Sequence, residues 1–398
     1  MPETLVEIAR NLKNTKEKIP QKEAKEYDIK VQLIFAFNGT GKTRLSKEFQ
    51  KLICKKKTTK KIDEEQKRKF LYYSAYTEDL FYWDNDIENN EEPKLKIQGN
   101  DFTNWILKVQ GKEGAIVKNF QYYINNDKLV PKFNEEYKIK NQENKDIVIP
   151  AYSEVTFSLQ KGDDTNSGNI KISKGEESLF IWCVFYSIFE QVIEELNEIE
   201  ERESGPFDDL EYIFIDDPVT SLDENHLIEL AVDLAKLIKS SESDLKFIIT
   251  THNPLFYNVL YSELDRKNGY LITKNDDNLY DLKLKKGDSN CSFSYHLYIR
   301  DLLKEAIENN NLQKFHFTLL RNLYEKTACF LGYPRWSELL PDNKITYYNK
   351  IIQFSSHSTL SGITVAEPTD QEKKIISFLF KDLVNKYNYW TQEESNAQ

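Results

Sequence analysis

The chain has 398 residues, 39% hydrophobic, 13% aromatic and 30% charged, which suggests two or three domains and excludes a disordered protein. No run reaches membrane-spanning length, the first residues lack a leader's apolar core, and Cys54, Cys183, Cys291 and Cys329 show no metal-ligand or disulfide spacing; a cytoplasmic protein with reduced thiols and no membrane partner is expected. The net charge of −11 argues against a surface coated for nucleic acid, yet residues 265–398 hold 18 Lys+Arg against 17 Asp+Glu, which permits a local basic groove there.

In chain order, residues 3–19 read as a short amphipathic helix. An apolar run, Leu33 to Phe37, reads as a buried strand, and Asn38-Gly39-Thr40-Gly41 breaks it before Lys42-Thr43 opens a helix with Leu45 and Phe49 on one face. A basic run at 55–69 reads as a solvated connector, and YYSAYTEDLFYWDND (72–86) packs aromatics among acids. Residues 93–172 carry short alternating runs (KLKIQ, AIVKNF, EVTFSL, NIKIS) and are expected to form a strand-rich subdomain. A helix follows from Ser173 to about Glu201; then strands Tyr212–Ile215 and Phe247–Thr251 flank a helix over 224–239, the alternation of a parallel α/β architecture. Beyond about 265–290 the pattern turns helical: Leu297, Leu302, Leu303 and Ile307 share a face, as do Phe315, Leu319, Leu320 and Leu323, with further helices expected over 345–355 and 370–387.

The strand, glycine loop and helix at Val31–Lys47 form the context of a phosphate-binding loop. Glycines let backbone N–H groups approach a polyphosphate, Lys42 can reach the β- and γ-phosphates, and the Thr43 hydroxyl can ligate Mg²⁺. The pattern G-x4-G-K-[ST] has Ala36 where its first glycine stands, which an extended backbone tolerates. Asp216 ends an apolar strand, where a carboxylate can hold the Mg²⁺ shell, and Asp217 can polarise an attacking water. Ser221-Leu222-Asp223 follows, then His252 at another strand end. Upstream, Ser173-x-Gly175-Glu176 opens a helix whose N–H groups can receive a γ-phosphate. This order resembles the ABC-type ATPases, with ISKGEE in the signature position, FIDDP as Walker B, SLD as the D-loop and His252 as the switch histidine. That resemblance implies a head-to-tail dimer in which one protomer's Ser173 completes the other's site. Asp217 in place of the usual glutamate, and no recognisable Q-loop glutamine, depart from the pattern and suit a slow switch.

In the helical part, Arg321 and Glu325 at i,i+4 project from one helix face, and His357 follows in Ser-Ser-His-Ser. Spacing alone reads as a surface ion pair. Chemically, glutamate and histidine can serve as base and acid toward a ribose 2′-OH and a 5′-oxygen leaving group, and arginine can stabilise a pentacoordinate phosphate.

The whole chain resembles the PrrC family of bacterial anticodon nucleases, through AFNGTGKTRLS, AYTEDLFYWDND, ISKGEES, FIDDPVTSLD, ITTHNP, KKGDSNCSFSYH and LLRNLYEKTACFLGYPRW. The resemblance implies an α/β P-loop NTPase domain of ABC type with a strand-rich subdomain (residues 1–264), followed by an all-α HEPN-like nuclease domain (265–398). It implies Arg321, Glu325 and His357 as a metal-independent ribonuclease triad, with Asp288 and Trp336 reading the anticodon by hydrogen bonding and stacking. The implied substrate is lysine tRNA, cut 5′ of the wobble nucleotide to leave a 2′,3′-cyclic phosphate and a 5′-OH. Implied ligands are Mg²⁺ with GTP or ATP, and dTTP as a regulatory nucleotide; implied partners are a second copy of the chain and a type I restriction–modification complex that masks the nuclease until phage infection. Two other classes share the nucleotide motifs: an SMC-like ABC ATPase of DNA maintenance and a transporter subunit. The first needs a long coiled coil, and residues 50–172 show no sustained heptads. A nuclease with another RNA target stays open.

Overall fold

The computed structural model describes residues 2–18, 26–54, 69–75, 80–84, 93–140, 144–160, 169–198, 207–218, 222–265, 268–275, 277–285, 295–341, 346–347 and 368–389. The chain divides into two compact units, Met1–Asp288 and Ser289–Gln398.

In the first unit, helix α1 (Leu5–Asn14) starts at a capping box between Thr4 and Glu7 and buries Leu5, Ile8, Ala9 and Leu12. Strands β1 (Lys16–Lys18) and β2 (Glu26–Asp28) pair antiparallel, and β3 (Val31–Ala36) leads into α2 (Lys42–Ile53). β4 (Phe70–Ser74) joins the sheet of β3, whereas β5 (Phe81–Asp84) and β6 (Lys94–Ile97) belong to a second one. After a helical stretch at 101–109 come α3 (Glu113–Tyr123), β7 (Leu129–Phe133), the hairpin β8 (Tyr137–Lys140) and β9 (Asp146–Ile149), and β10 (Glu154–Leu159). α4 (Lys174–Asn197), β11 (Tyr212–Asp216), α5 (Glu224–Ser240), β12 (Lys246–Thr251), α6 (Pro254–Glu263), β13 (Gly269–Lys274) and β14 (Tyr280–Leu284) complete it.

The main sheet runs β14-β13-β3-β12-β11-β4, parallel throughout except for β14. β3, β11 and β12 are buried along nearly their whole length, as strands covered on both faces must be; that is why they read as unbroken apolar runs. On one face Leu45, Phe49 and Ile53 of α2 pack with Phe70, Tyr212 and Phe214. α4 is apolar almost all round and lies between the two sheets. Its Trp182 and Phe185 pack on Tyr73 of β4 (ring centroids 5.8 and 4.4 Å), while Phe180 meets Phe157 of β10 at 5.2 Å. The second sheet is antiparallel, in the order β5-β6-β10-β7.

Three differences from the sequence expectation have physical causes. AIVKNF is not a strand but part of α3: Ile116, Phe120 and Tyr123 are buried at helical spacing, a period that a six-residue window conceals. NIKIS forms no strand either; it is the approach to the cap of α4. The units divide after Asp288 rather than at 264/265, because β13 pairs with β3 and carries β14 with it.

In the second unit the described elements are helical: α7 (Tyr295–Glu308), α8 (Phe315–Phe330), a 3-10 turn (Trp336–Leu339) and α9 (Asp370–Lys386). Ile299 and Leu303 of α7 pack with Phe317, Leu320, Leu323 and Tyr324 of α8 and with Ile376, Leu379 and Leu383 of α9. Phe315, expected on the buried face of α8, is 51% exposed, and Phe317 takes its place. The helix expected over 345–355 lies almost wholly outside the described residues.

Gly269 opens β13 beneath the stacked rings of Tyr257 and Tyr261. A Cβ there would meet the Tyr257 hydroxyl and come within 2.6 Å of the Tyr261 ring, so Gly269→Ala should destabilise the protein by about 1–3 kcal/mol in denaturant unfolding. Unchanged stability would contradict this packing.

Candidate functional site

The loop after β3 has the backbone that its glycines dictate. Gly39 and Gly41 sit at φ +80° and +98°, in the left-handed region that side chains disfavour, and Gly41 is the N-cap of α2. Among the described residues no side chain caps that helix end, so its first N–H groups can meet an anion. Ala36 is the last residue of β3, pairs with Ile272 and is buried, so its methyl stands on ordinary strand backbone. Lys42 Nζ folds back over the loop, donating to the carbonyl of Ala36 (3.1 Å) and to Asn38 Oδ1 (3.2 Å). Thr40 is buried.

Two aspartates at the end of β11 face this loop. Asp216, 1% exposed, is held at both oxygens: Oδ2 accepts from Thr43 Oγ1 (2.7 Å) and Tyr72 Oη (3.0 Å), Oδ1 from Thr250 Oγ1 (2.6 Å). Burial, then the Asp216 charge, pushes the Tyr72 phenol up to about 12, which keeps it a proton donor. Asp217 is a non-glycine residue at φ +51°, and its N–H donates to the Thr250 carbonyl (2.8 Å). Its carboxylate lies 3.4 Å from Lys42 Nζ and 2.5 Å from His252 Nδ1, and it accepts from the His252 N–H (3.2 Å). Lys42, Thr43, Asp216, Asp217 and His252 thus form one cluster at the carboxyl ends of β3, β11 and β12, where parallel sheets bind ligands. Tyr72 and Thr250 belong to it too, and neither was singled out from the sequence; Thr250 had a signal in its place two residues before His252.

Thr43 and Asp216 are hard oxygen donors side by side, which fits Mg²⁺, an ion that keeps waters and takes one or two carboxylates together with phosphate oxygens. Among the described residues no three His, Cys, Asp or Glu side chains group to hold an ion by themselves, so such a site depends on the nucleotide's oxygens.

The Ser173–Glu176 turn is a capping box. Ser173 Oγ accepts from the Glu176 N–H (3.3 Å) and Glu176 Oε2 from the Ser173 N–H (2.7 Å), with Gly175 between them. Among the described residues, Ser173, Gly175 and Glu176 bond within this cap and not to the Asn38–Thr43 loop, and Ser173 is exposed. One residue on, buried Glu177 accepts from Trp83 Nε1 (2.8 Å) and pairs with Lys174 (2.8 Å), which fastens β5 of the aromatic-acidic stretch to the start of α4. Ser221 lies outside the described residues; Asp223 caps α5 and accepts from the His226 N–H (3.0 Å).

In the second unit Arg321 Nε donates to Glu325 Oε1 at 2.8 Å, with the side chains 35% and 38% exposed. Glu325 Oε2 accepts no hydrogen bond among the described residues. The Arg321 guanidinium lies 6.0 Å from the centre of the Trp336 ring, which in turn packs edge-on against Tyr324 (6.2 Å). Trp336 is therefore brought to the Arg321–Glu325 pair. His357 and Asp288 lie outside the described residues.

A glycine loop on a parallel sheet, a buried aspartate on the loop's threonine and a strand-end histidine give the first unit the geometry of a phosphate-loop module, in a chain that also carries a helical unit. No protein-family model matches the chain. It is 52% identical over 413 aligned residues, the whole of both chains, to the anticodon nuclease of Escherichia coli. The chain belongs to the anticodon nuclease family, of PrrC type. Among solved structures it is similar to the SMC head domain of Thermotoga maritima (13% identity, TM-score 0.25, 65% of this chain and 91% of that one). It is likewise similar to a Smc head domain of Pyrococcus furiosus (14% identity, TM-score 0.24, 46% of this chain and 37% of that one). At such scores the fold rests on the chain's own sheet order.

Lys42→Ala removes the cation that closes the phosphate loop and should weaken nucleotide binding roughly tenfold to a hundredfold in a fluorescence titration. Wild-type affinity in the variant would remove the loop from the binding site.

Proposed function

We propose that this chain is a nucleotide-gated endoribonuclease that cuts lysine tRNA 5′ of the wobble nucleotide. The observation that carries the reading is the Arg321–Glu325 pair, half-open to solvent on α8, in a chain 52% identical over its full length to an anticodon nuclease. Glu325 takes the proton of the ribose 2′-OH through its Oε2, and the 2′-oxygen attacks the adjacent phosphorus. His357 protonates the departing 5′-oxygen. Arg321 stabilises the charge of the pentacoordinate phosphate, and the products are a 2′,3′-cyclic phosphate and a 5′-OH. Every proton moves between side chains and substrate, so the reaction needs no metal. Asp288 accepts a hydrogen bond from the wobble base, and Trp336, beside Arg321, stacks an unpaired base.

The first unit serves as the gate. Lys42, Asn38–Gly41 and His252 bind the phosphates of GTP or ATP, and Thr43 and Asp216 hold Mg²⁺, which neutralises phosphate charge. Asp217 orients the attacking water, and the exposed Ser173, with Gly175 and Glu176, reaches the nucleotide of a second copy in a homodimer or larger assembly. dTTP acts as a regulatory nucleotide, and a type I restriction–modification complex masks the HEPN-like nuclease domain in the cytoplasm until infection, in antiviral defence.

Arg321→Ala, Glu325→Ala and His357→Ala should each lower cleavage of lysine tRNA on the order of 10²- to 10⁴-fold, while nucleotide affinity stays within twofold or so of wild type. The measurement is gel analysis of end-labelled tRNA beside a nucleotide titration. Normal cleavage by the His357 variant would sink the triad.

A further inference from the structure

Asp216 has a partner that no sequence motif announces. Tyr72 sits on β4, the edge strand parallel to β11, directly across from Phe214 and two residues before Ser74, which pairs with Asp216 itself. Its ring packs against Phe214 (centroids 6.3 Å), so strand pairing and ring packing together fix where the phenol can be. From there its hydroxyl reaches Asp216 Oδ2, the same oxygen that accepts from Thr43. Ser46, one turn beyond Thr43 on α2, and Ser74 lie near enough to offset part of the rise in the phenol's pKa. Tyr72 therefore stands between the phosphate-loop helix and the strand-end carboxylate and touches both.

We propose that Tyr72 is a positioning residue of the nucleotide–Mg²⁺ site, which sets how strongly the cation tightens nucleotide binding. The inference rests on the nucleotide reading above and adds a residue to it. A threonine hydroxyl has one proton and two lone pairs. While Thr43 donates its proton to Asp216 Oδ2, its lone pairs are left to accept, and through them it would hold Mg²⁺. That arrangement is kept only if the carboxylate cannot turn. A carboxylate fixed by Thr43 and Thr250 alone retains a second acceptor direction on Oδ2; the Tyr72 phenol occupies it, and rigid β4 carries the phenol. Removing the hydroxyl leaves Asp216 held by Thr43 and Thr250 alone, which loosens the carboxylate and the Thr43 hydroxyl bonded to it. The loss should appear in the part of the binding that depends on the cation.

The test is Tyr72→Phe in the full chain, with Tyr72→Leu as a second hydroxyl-free variant should the first fail to fold; the thermal midpoint without nucleotide reports folding. Fluorescent ATP and GTP analogues are titrated in EDTA and across a Mg²⁺ series. The ratio of Kd in EDTA to Kd in saturating Mg²⁺ should fall about tenfold, and the Mg²⁺ concentration for half-maximal tightening should rise by a similar factor. A wild-type ratio in a folded variant, or equal weakening with and without Mg²⁺, would overturn the inference and leave the nucleotide reading intact. Failure of the wild-type protein to bind either analogue would overturn both.

Discussion

Asp216 is buried at the end of a parallel strand, where an uncompensated carboxylate would cost several kcal/mol. Three hydroxyls from three segments make the position tolerable: Thr43 from the phosphate-loop helix, Tyr72 from the edge strand and Thr250 from β12. Each hydrogen bond to a charged acceptor contributes about 1.5–3 kcal/mol, so the network ties the loop, the edge strand and β12 together with an energy comparable to a large share of domain stability. Asp217 repeats the arrangement one residue on, with Lys42, Thr251 and His252 as partners. Two neighbouring carboxylates thereby bind the glycine loop, β4 and the end of β12 to one strand end.

The same strand organises what lies beyond the site. β4 presents Tyr72 to Asp216 from one face and Tyr73 to Trp182, Phe185 and Phe189 of α4 from the other. α4 begins at the Ser173 capping box, and its Glu177 is held by Trp83 of β5. The described residues of the aromatic-acidic stretch at 72–86 accordingly fall in two sheets. Its first residues belong to the main sheet beside the carboxylates, and Phe81–Asp84 belongs to the second sheet beside the signature turn.

How much of this was legible in the sequence follows from the range of each interaction. The phosphate loop, the strands Tyr212–Asp216 and Lys246–Thr251 and helix α4 are announced locally, by glycine spacing, unbroken apolar runs and a cap. α3 is hidden because its buried positions span two turns, while the six residues AIVKNF by themselves alternate like a strand. The place of β13 was not legible because it is set only by pairing with β3, more than two hundred residues earlier. Tyr72 was hidden for the same reason: its hydroxyl acts on a carboxylate 144 residues away, and nothing around it marks it out from the tyrosines beside it. Arg321 and Glu325 were legible as a pair by helical spacing, but not as chemistry; the neighbouring Trp336 ring appears only in the fold.

The central claim is that the nucleotide site governs a nuclease whose bond-breaking residues lie in the second unit. The most direct measurement incubates the purified full-length protein with total tRNA, with and without Mg²⁺-GTP or Mg²⁺-ATP and dTTP, and maps the ends of the products. The account predicts a single cut 5′ of the wobble nucleotide of lysine tRNA, with 2′,3′-cyclic phosphate and 5′-OH ends, made only when nucleotide is present. Uncut tRNA under all conditions, or the same cut made equally well without any nucleotide, would contradict it.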